Sequence, residues 1–255
     1  MKFNEDSRVK IPCLLHLVSL GYEYLSLKNA LWDEDTNIFP NIFKEAIAAI
    51  NPDADQSDIS RRYEDIKLTL DNEDLGKAFY DKLLDQSGIK LIDFSHFKNN
   101  RFHVVTELTY KNGEEEFRPD ITLLINGLPL VFIEVKKPNN QDGVLAERER
   151  INKRFQNPKF RRFVNITQLM LFSNNMDYED GSPEPIQGAF YASSSYYQPV
   201  FNYFREEETL NLSNLLKAHD DAVENSLLKD NNLEVIKNNP EFLSNKSPDK
   251  PTNRL

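Results

Sequence analysis

RPDITLLINGLPLVFIEVKKPNN, Arg118 to Asn140, is the stretch whose reading decides the fold of this chain. DITLLI and LPLVFIEV are rich in β-branched and aliphatic residues and flank Asn126-Gly127, a dipeptide suited to the left-handed backbone of a tight hairpin turn. Side chains alternate across a strand, so Glu134 and Lys136 project from one face, Ile133 and Val135 from the other. Whether Asp120 joins Glu134 depends on the turn. Residues paired across a hairpin keep a constant sum of residue numbers, and that sum must be even to bring these two together. A two-residue turn at Asn126-Gly127 pairs Asp120 with Ile133 and sends its carboxylate to the opposite face. Grouping the acids therefore requires a three-residue turn or a compensating bulge. In that register Ile121, Leu123, Ile125, Val131, Ile133 and Val135 form one apolar face, while Leu124, Leu130 and Phe132 make the other apolar near the turn. Only its far end is charged.

Charges clustered at the end of a strand pair buried on both faces are costly unless they are partnered. A divalent cation resolves that conflict. Mg²⁺, or Mn²⁺ in its place, takes a few carboxylate oxygens together with water and phosphate, and Asp120, Glu134 and the backbone carbonyl of Val135 supply such a half-shell. Lys136 then positions or deprotonates a water, or holds a phosphate; the sequence leaves these open. The competing structural reading is an exposed Glu134–Lys136 pair on a strand edge, since a Glu-x-Lys match alone is weak. Here it follows an upstream Pro119-Asp120 and a strand–turn–strand pattern, and it precedes a basic helix.

That basic region balances a chain whose net charge is -10. From Lys136 to Arg162 nine basic residues face three acids, nine minus three giving +6. The overall acidity argues against a general nucleic-acid coat protein, but a local positive face is compatible with it. Candidate phosphate contacts are Lys137, Arg148, Arg150, Lys153, Arg154, Gln156, Arg161 and Arg162, with a solvated helix or a subunit interface as the alternative. Phe155, Phe160 and Phe163 read as core anchors, and His16 and His103 as structural residues. Cys13, the single cysteine, fits a buried apolar position and a reducing, cytoplasmic setting. Neither a membrane-spanning run nor a GxxxxGK[ST] phosphate loop is present in the sequence.

Outward from the hairpin, the expected fold is α/β. Pro12 starts a first helix that Gly21 stops, and a strand follows over Tyr22–Leu27. Helices are expected over Asn41–Ile50, Ser57–Leu70 and Glu73–Leu84. FHVVTELTY, DITLLI and LPLVFIEVKK then read as a β-meander, with turns at Asn112-Gly113 and Asn126-Gly127. Gly143–Gln156 is the charged helix, Leu169–Ser173 a short buried strand and Gln187–Ala192 one more strand. Beyond Tyr196 helix is expected again, with Leu210, Leu212, Leu215 and Leu216 on its apolar face. These divisions give a helical part at 1–100, a core at 101–195, a helical extension at 196–244 and a flexible Pro-containing tail or linker at 245–255.

Arg118–Asn140, together with QNPKFRRFVNITQLMLFSNN at Gln156–Asn175 and LGYEYLSL near the start, resembles the N-terminal nuclease domain of the restriction (R) subunit of type I restriction-modification enzymes, over roughly residues 9 to 180. The resemblance implies a PD-(D/E)xK restriction-endonuclease-like core, a mixed central β-sheet flanked by helices, with helical elaborations at both ends. It implies Asp120, Glu134 and Lys136 as the catalytic set for Mg²⁺-dependent cleavage of double-stranded DNA, beside methylation and specificity subunits. ATP enters only if a motor domain follows in a longer chain. Relatives with a glutamate on the first helix have no match in Val9–Leu20, leaving Glu107 or Glu23 as substitutes, and the family's Q-x-x-x-Y motif has only the approximate counterparts Asn152-x-x-x-Gln156 and Gln156-x-x-x-Phe160. Other readings are a repair or junction nuclease of the same superfamily and a non-catalytic docking domain.

Overall fold

The computed structural model describes residues 9–137, 143–174, 189–193, 200–203 and 221–230. The expected tail and the leucine-bearing segment after Tyr196 lie outside these residues. Helix α1, Ile11–Ser19, has Pro12 in its first turn and is followed by a short strand, β1, Glu23–Tyr24. Strand β1 is shorter than the expected Tyr22–Leu27, although Leu25 N–H still donates to the Val104 carbonyl at 2.9 Å. Helix α2, Pro40–Ile50, again opens on proline. Helix α3, Gln56–Thr69, is capped by Asp55, whose carboxylate accepts from the Ser57 and Asp58 N–H groups. Helix α4, Lys77–Leu84, starts later than Glu73 because Gly76 (φ +82°) breaks the chain, and a Cβ there would meet the Asn165 carbonyl oxygen at 2.6 Å.

The expected meander divides. Strand β2, Phe102–Thr106, ends at Glu107, a non-glycine residue with φ +55°. Strands β3, Tyr110–Asn112, and β4, Glu115–Phe117, then leave the main sheet as a separate hairpin. The chain returns as β5, Ile121–Ile125, and β6, Leu128–Val135. Helix α5, Gly143–Gln156, has the expected bounds, and α6, Arg161–Ile166, follows a 3-10 turn at Pro158–Phe160. Strands β7, Leu169–Ser173, β8, Ala189–Ser193, and β9, Val200–Tyr203, complete the sheet, and α7, Asp221–Asp230, is the last described element. Strand β9 corrects the expectation of helix directly after Tyr196. Extended pairing with β8 prevails there.

Among the described residues the main sheet is mixed and seven-stranded, in the order β1-β2-β5-β6-β7-β8-β9, with β6 and β7 parallel. Ile121, Leu123, Ile133 and Val135 pack with α1 and with Leu227 and Leu228 of α7. Leu124, Phe132 and Phe172 face the opposite layer, where Phe155, Phe160 and Phe163 are core anchors as expected, joined by Ile151. A third cluster gathers Phe43, Ile47, Ile59, Ile66 and Phe79 around the hairpin turn. Leu130 belongs to this third cluster with Leu128, not with Leu124 and Phe132 as simple alternation implies.

A bulge at Leu130 causes that change. Near the turn Ile125 pairs with Leu128 and Leu124 with Pro129; beyond it Leu123 pairs with Val131, Thr122 with Phe132 and Ile121 with Ile133. The turn itself has two residues, Asn126 (φ +52°) and Gly127 (φ +80°). One extra residue in β6 thus corrects the register that a two-residue turn imposes. Continued by one step, it sets Asp120 opposite Glu134.

Candidate metal and phosphodiester site

Asp120 sits just before β5, and its Oδ2 accepts a hydrogen bond from the Val135 N–H at 2.9 Å. The N–H and carbonyl of one strand residue point to the same side, so the Val135 carbonyl also opens toward Asp120. On β6, Lys136 Nζ donates to Glu134 Oε1 at 2.6 Å. Both side chains are largely buried, at 14% and 12% exposure, which sets aside the exposed strand-edge pair. The parallel neighbour β7 holds this end of β6 in place through Lys136 N–H donating to the Ser173 carbonyl at 2.8 Å.

Burial, then the neighbouring negative charge of Glu134, pushes the Asp120 carboxyl up to about 7, against the Val135 hydrogen bond and the positive charges of Lys136 and Lys10. Burial also raises Glu134, opposed by Lys136 and reinforced by the charge of Glu147. Lys136 is desolvated, yet its ammonium is held above the usual lysine range by Glu134, Glu147 and Asp120. Burial thus disfavours the ionised form of both carboxyls even with Lys136 beside them. Asp120, Glu134 and the Val135 carbonyl are hard oxygen donors, a set that fits Mg²⁺ with its remaining positions left to water and phosphate. Among the described residues no three His, Cys, Asp or Glu side chains gather as a ligand group by themselves.

Glu147 is the residue that reading the sequence missed. It is only 2% exposed, lies 3.6 Å from Lys136 Nζ and is ion-paired with Arg150. In the sequence it looks like one of the acids diluting a basic helix. Its inward heptad neighbours Ile151 and Phe155, both buried, were the available signal.

The other expected residues divide between the neighbourhood of this site, where the Glu107 N–H reaches the Asp120 carbonyl at 3.4 Å, and positions remote from it. Glu107 is ion-paired with Lys10, and Glu23 lies at the turn end of the sheet, 3.7 Å from His103. Arg150 is drawn to Glu147, while Arg154 stacks its guanidinium 3.9 Å over the Phe117 ring and its charge reaches Glu134 and Glu147. Lys137, Lys153 and Gln156 are exposed and Arg148 is half-buried. Arg161 bonds Glu73 at 2.7 Å, and Arg162 bonds Asp71 at 2.6 and 3.0 Å, so both are engaged within the fold. Of the approximate Q-x-x-x-Y pairs, Asn152 and Gln156 stand one turn apart on α5, where the Asn152 Oδ1 is buried without a hydrogen-bond partner, whereas Gln156 and Phe160 are separated by the end of α5 and the 3-10 turn. Cys13 is buried, as are the structural positions of His103 and, in part, His16.

The family described as the type I restriction enzyme R protein N terminus matches residues 2–182. A putative type I restriction enzyme MjaIXP endonuclease subunit of Methanocaldococcus jannaschii is 30% identical over 209 residues, covering 71% of this chain and 20% of that protein. The type I restriction enzyme HindI endonuclease subunit of Haemophilus influenzae is 30% identical over 162 residues, covering 52% of this chain and 15% of that protein. A putative MjaVIIP endonuclease subunit of M. jannaschii is 36% identical over 85 residues, 32% of this chain and 8% of that protein. The chain thus matches about one fifth or less of the length of these relatives. Among the described residues no helix is long and apolar enough to cross a membrane. Matched over residues 2–182, most of its length, the chain belongs to the family of type I restriction enzyme R protein N-termini.

Proposed function

We propose that this domain hydrolyses phosphodiester bonds of double-stranded DNA through a PD-(D/E)xK site formed by Asp120, Glu134 and Lys136, within a restriction complex that also holds specificity and methylation subunits. The observation that carries the reading is the bulge at Leu130, which brings Asp120 opposite Glu134 despite a two-residue turn. Asp120, Glu134 and the Val135 carbonyl would hold Mg²⁺. Bound there, a divalent cation supplies a nucleophilic water at neutral pH and stabilises charge that builds on the scissile phosphate. Lys136 holds a proton and donates hydrogen bonds at Nζ, so it orients water or a phosphate oxygen beside the acids. Glu147, 3.6 Å from the same ammonium, would remain as a second acceptor for Lys136 if Glu134 held the cation. Lys137 at the strand exit and Arg148 and Lys153 on α5 would contact the DNA backbone, as would Arg150 if it exchanged Glu147 for phosphate.

The test is linearisation of supercoiled plasmid by the chain within its restriction complex, with Mg²⁺ and ATP. Wild type should cut, and Asp120→Ala, Glu134→Ala and Lys136→Ala should each reduce cutting at least 100-fold, on the scale typical of lost transition-state contacts. Unimpaired cutting by Asp120→Ala would remove the proposed function. A docking role without chemistry predicts normal assembly by all three variants and no cutting by wild type.

A further inference from the structure

We infer that Lys10 is a phosphate-binding residue of this site, held ready for DNA by the carboxylate of Glu107; the inference rests on the nuclease reading above. Lys10 stands immediately before α1, and its side chain is 4% exposed. One helical turn along the same face is Cys13, and both residues lie close enough to Asp120 to interact with its charge. The start of α1 therefore brings a cation to the acid from the layer opposite α5. Asp120 thus interacts with the charges of both Lys10 and Lys136.

The partner of Lys10 suggests what the ammonium is for. Glu107 accepts from Lys10 Nζ, but its own side chain is 44% exposed, and it lies where β2 breaks with a left-handed backbone. Its N–H reaches the Asp120 carbonyl oxygen at 3.4 Å, which ties the ion pair to the site through the main chain. A desolvated ammonium needs an anion. A half-exposed carboxylate can swing into water, and a phosphate oxygen of bound DNA can take its place without leaving Lys10 unpaired. Lysine is suited to this exchange, being a compact point charge with three donors. Glu107 then serves as the resident anion of an empty DNA site, which differs from the metal-ligand role expected from the sequence.

The prediction is that the two halves of one ion pair respond in opposite directions. Binding of a labelled 20-base-pair duplex is followed by fluorescence anisotropy from 50 to 200 mM salt in EDTA, which prevents cleavage. Lys10→Ala should weaken binding and flatten the plot of log affinity against log salt by about 0.9, the contribution of about one phosphate contact. Lys10→Arg should keep the wild-type slope, and Glu107→Gln should bind DNA more tightly than wild type. A purely structural pair predicts that Lys10→Ala and Glu107→Gln both weaken binding with an unchanged slope, and that result would overturn the inference, as would wild type failing to bind the duplex. Mn²⁺ binding measured on the same preparations separates the two levels. Wild type that binds DNA with the expected Lys10 slope but takes up no Mn²⁺ refutes the metal site while supporting Lys10 as a phosphate contact.

Discussion

Replacing Asn126 by alanine should cost about 3 to 5 kcal/mol of stability, because this residue combines a left-handed backbone with a fully buried side chain. Its Oδ1 accepts from the Arg101 N–H at 2.8 Å, and its Nδ2 donates to the Leu91 carbonyl and to Asn100 Oδ1, each at 2.8 Å. Alanine leaves the Arg101 N–H and the buried Leu91 carbonyl and Asn100 Oδ1 without this partner, a loss of about 1 kcal/mol or more for each. It must also hold φ near +52°, which adds about 1 kcal/mol relative to asparagine. Asn126→Gly separates the two contributions, since glycine adopts that backbone freely and should recover about 1 kcal/mol of the loss. Urea denaturation followed by circular dichroism measures both variants against wild type. A loss below about 1 kcal/mol for Asn126→Ala would refute the reasoning, as would glycine being less stable than alanine. The turn sets the start of the β6 register, so this is also a test of what holds Asp120 to Glu134.

The neighbouring Gly127→Ala should destabilise by at least about 2 kcal/mol in thermal or urea melts, because φ is +80° and its Cβ would lie 2.8 Å from both Phe39 O and Phe43 N. Lys136→Met leaves Glu134 and Glu147 buried without their shared ammonium, and should cost about 3 to 5 kcal/mol in EDTA, with part of the loss recovered on adding Mn²⁺. Phe163→Ala should cost about 3 to 5 kcal/mol, since the ring packs edge-on against Tyr110, Phe117 and Phe132 in the core. For Asp33, burial opposes ionisation but hydrogen bonds from Lys67 and Tyr63 win and hold the carboxyl below its usual value. A lowered folded-state value stabilises the fold above the unfolded value and stops doing so as pH falls through the folded one, so Asp33→Asn should be less stable than wild type at pH 7 and converge with it below about pH 4 in urea titrations.

Helix positions were legible to within a few residues: Pro12 marks the first turn of α1, and the charged Gly143–Gln156 stretch is α5, whereas the first-turn Pro40 and the cap Asp55 emerge from the structure. The candidate triad was legible because strand alternation alone puts Glu134 with Lys136. How Asp120 joins them was legible only as a requirement. The bulge falls among Pro129, Leu130 and Val131, all apolar, so no change in hydropathy marks it. Likewise β2 and β3 read as one strand, because only the left-handed backbone at Glu107 separates them. Glu147 was concealed by its sequence neighbours Arg148 and Arg150, whereas in space it belongs to Lys136. Arg161 and Arg162 looked like free cations because Asp71 and Glu73 are remote in sequence.

The central claim is tested most directly by Mn²⁺ soaked into crystals of the chain, with anomalous diffraction collected from wild type and from Asp120→Ala. The account predicts one strong anomalous peak within about 2.0–2.4 Å of oxygens from Asp120, Glu134 and the Val135 carbonyl, absent in the variant. A wild-type crystal saturated with Mn²⁺ and lacking that peak, or a peak that survives Asp120→Ala unchanged, would contradict it.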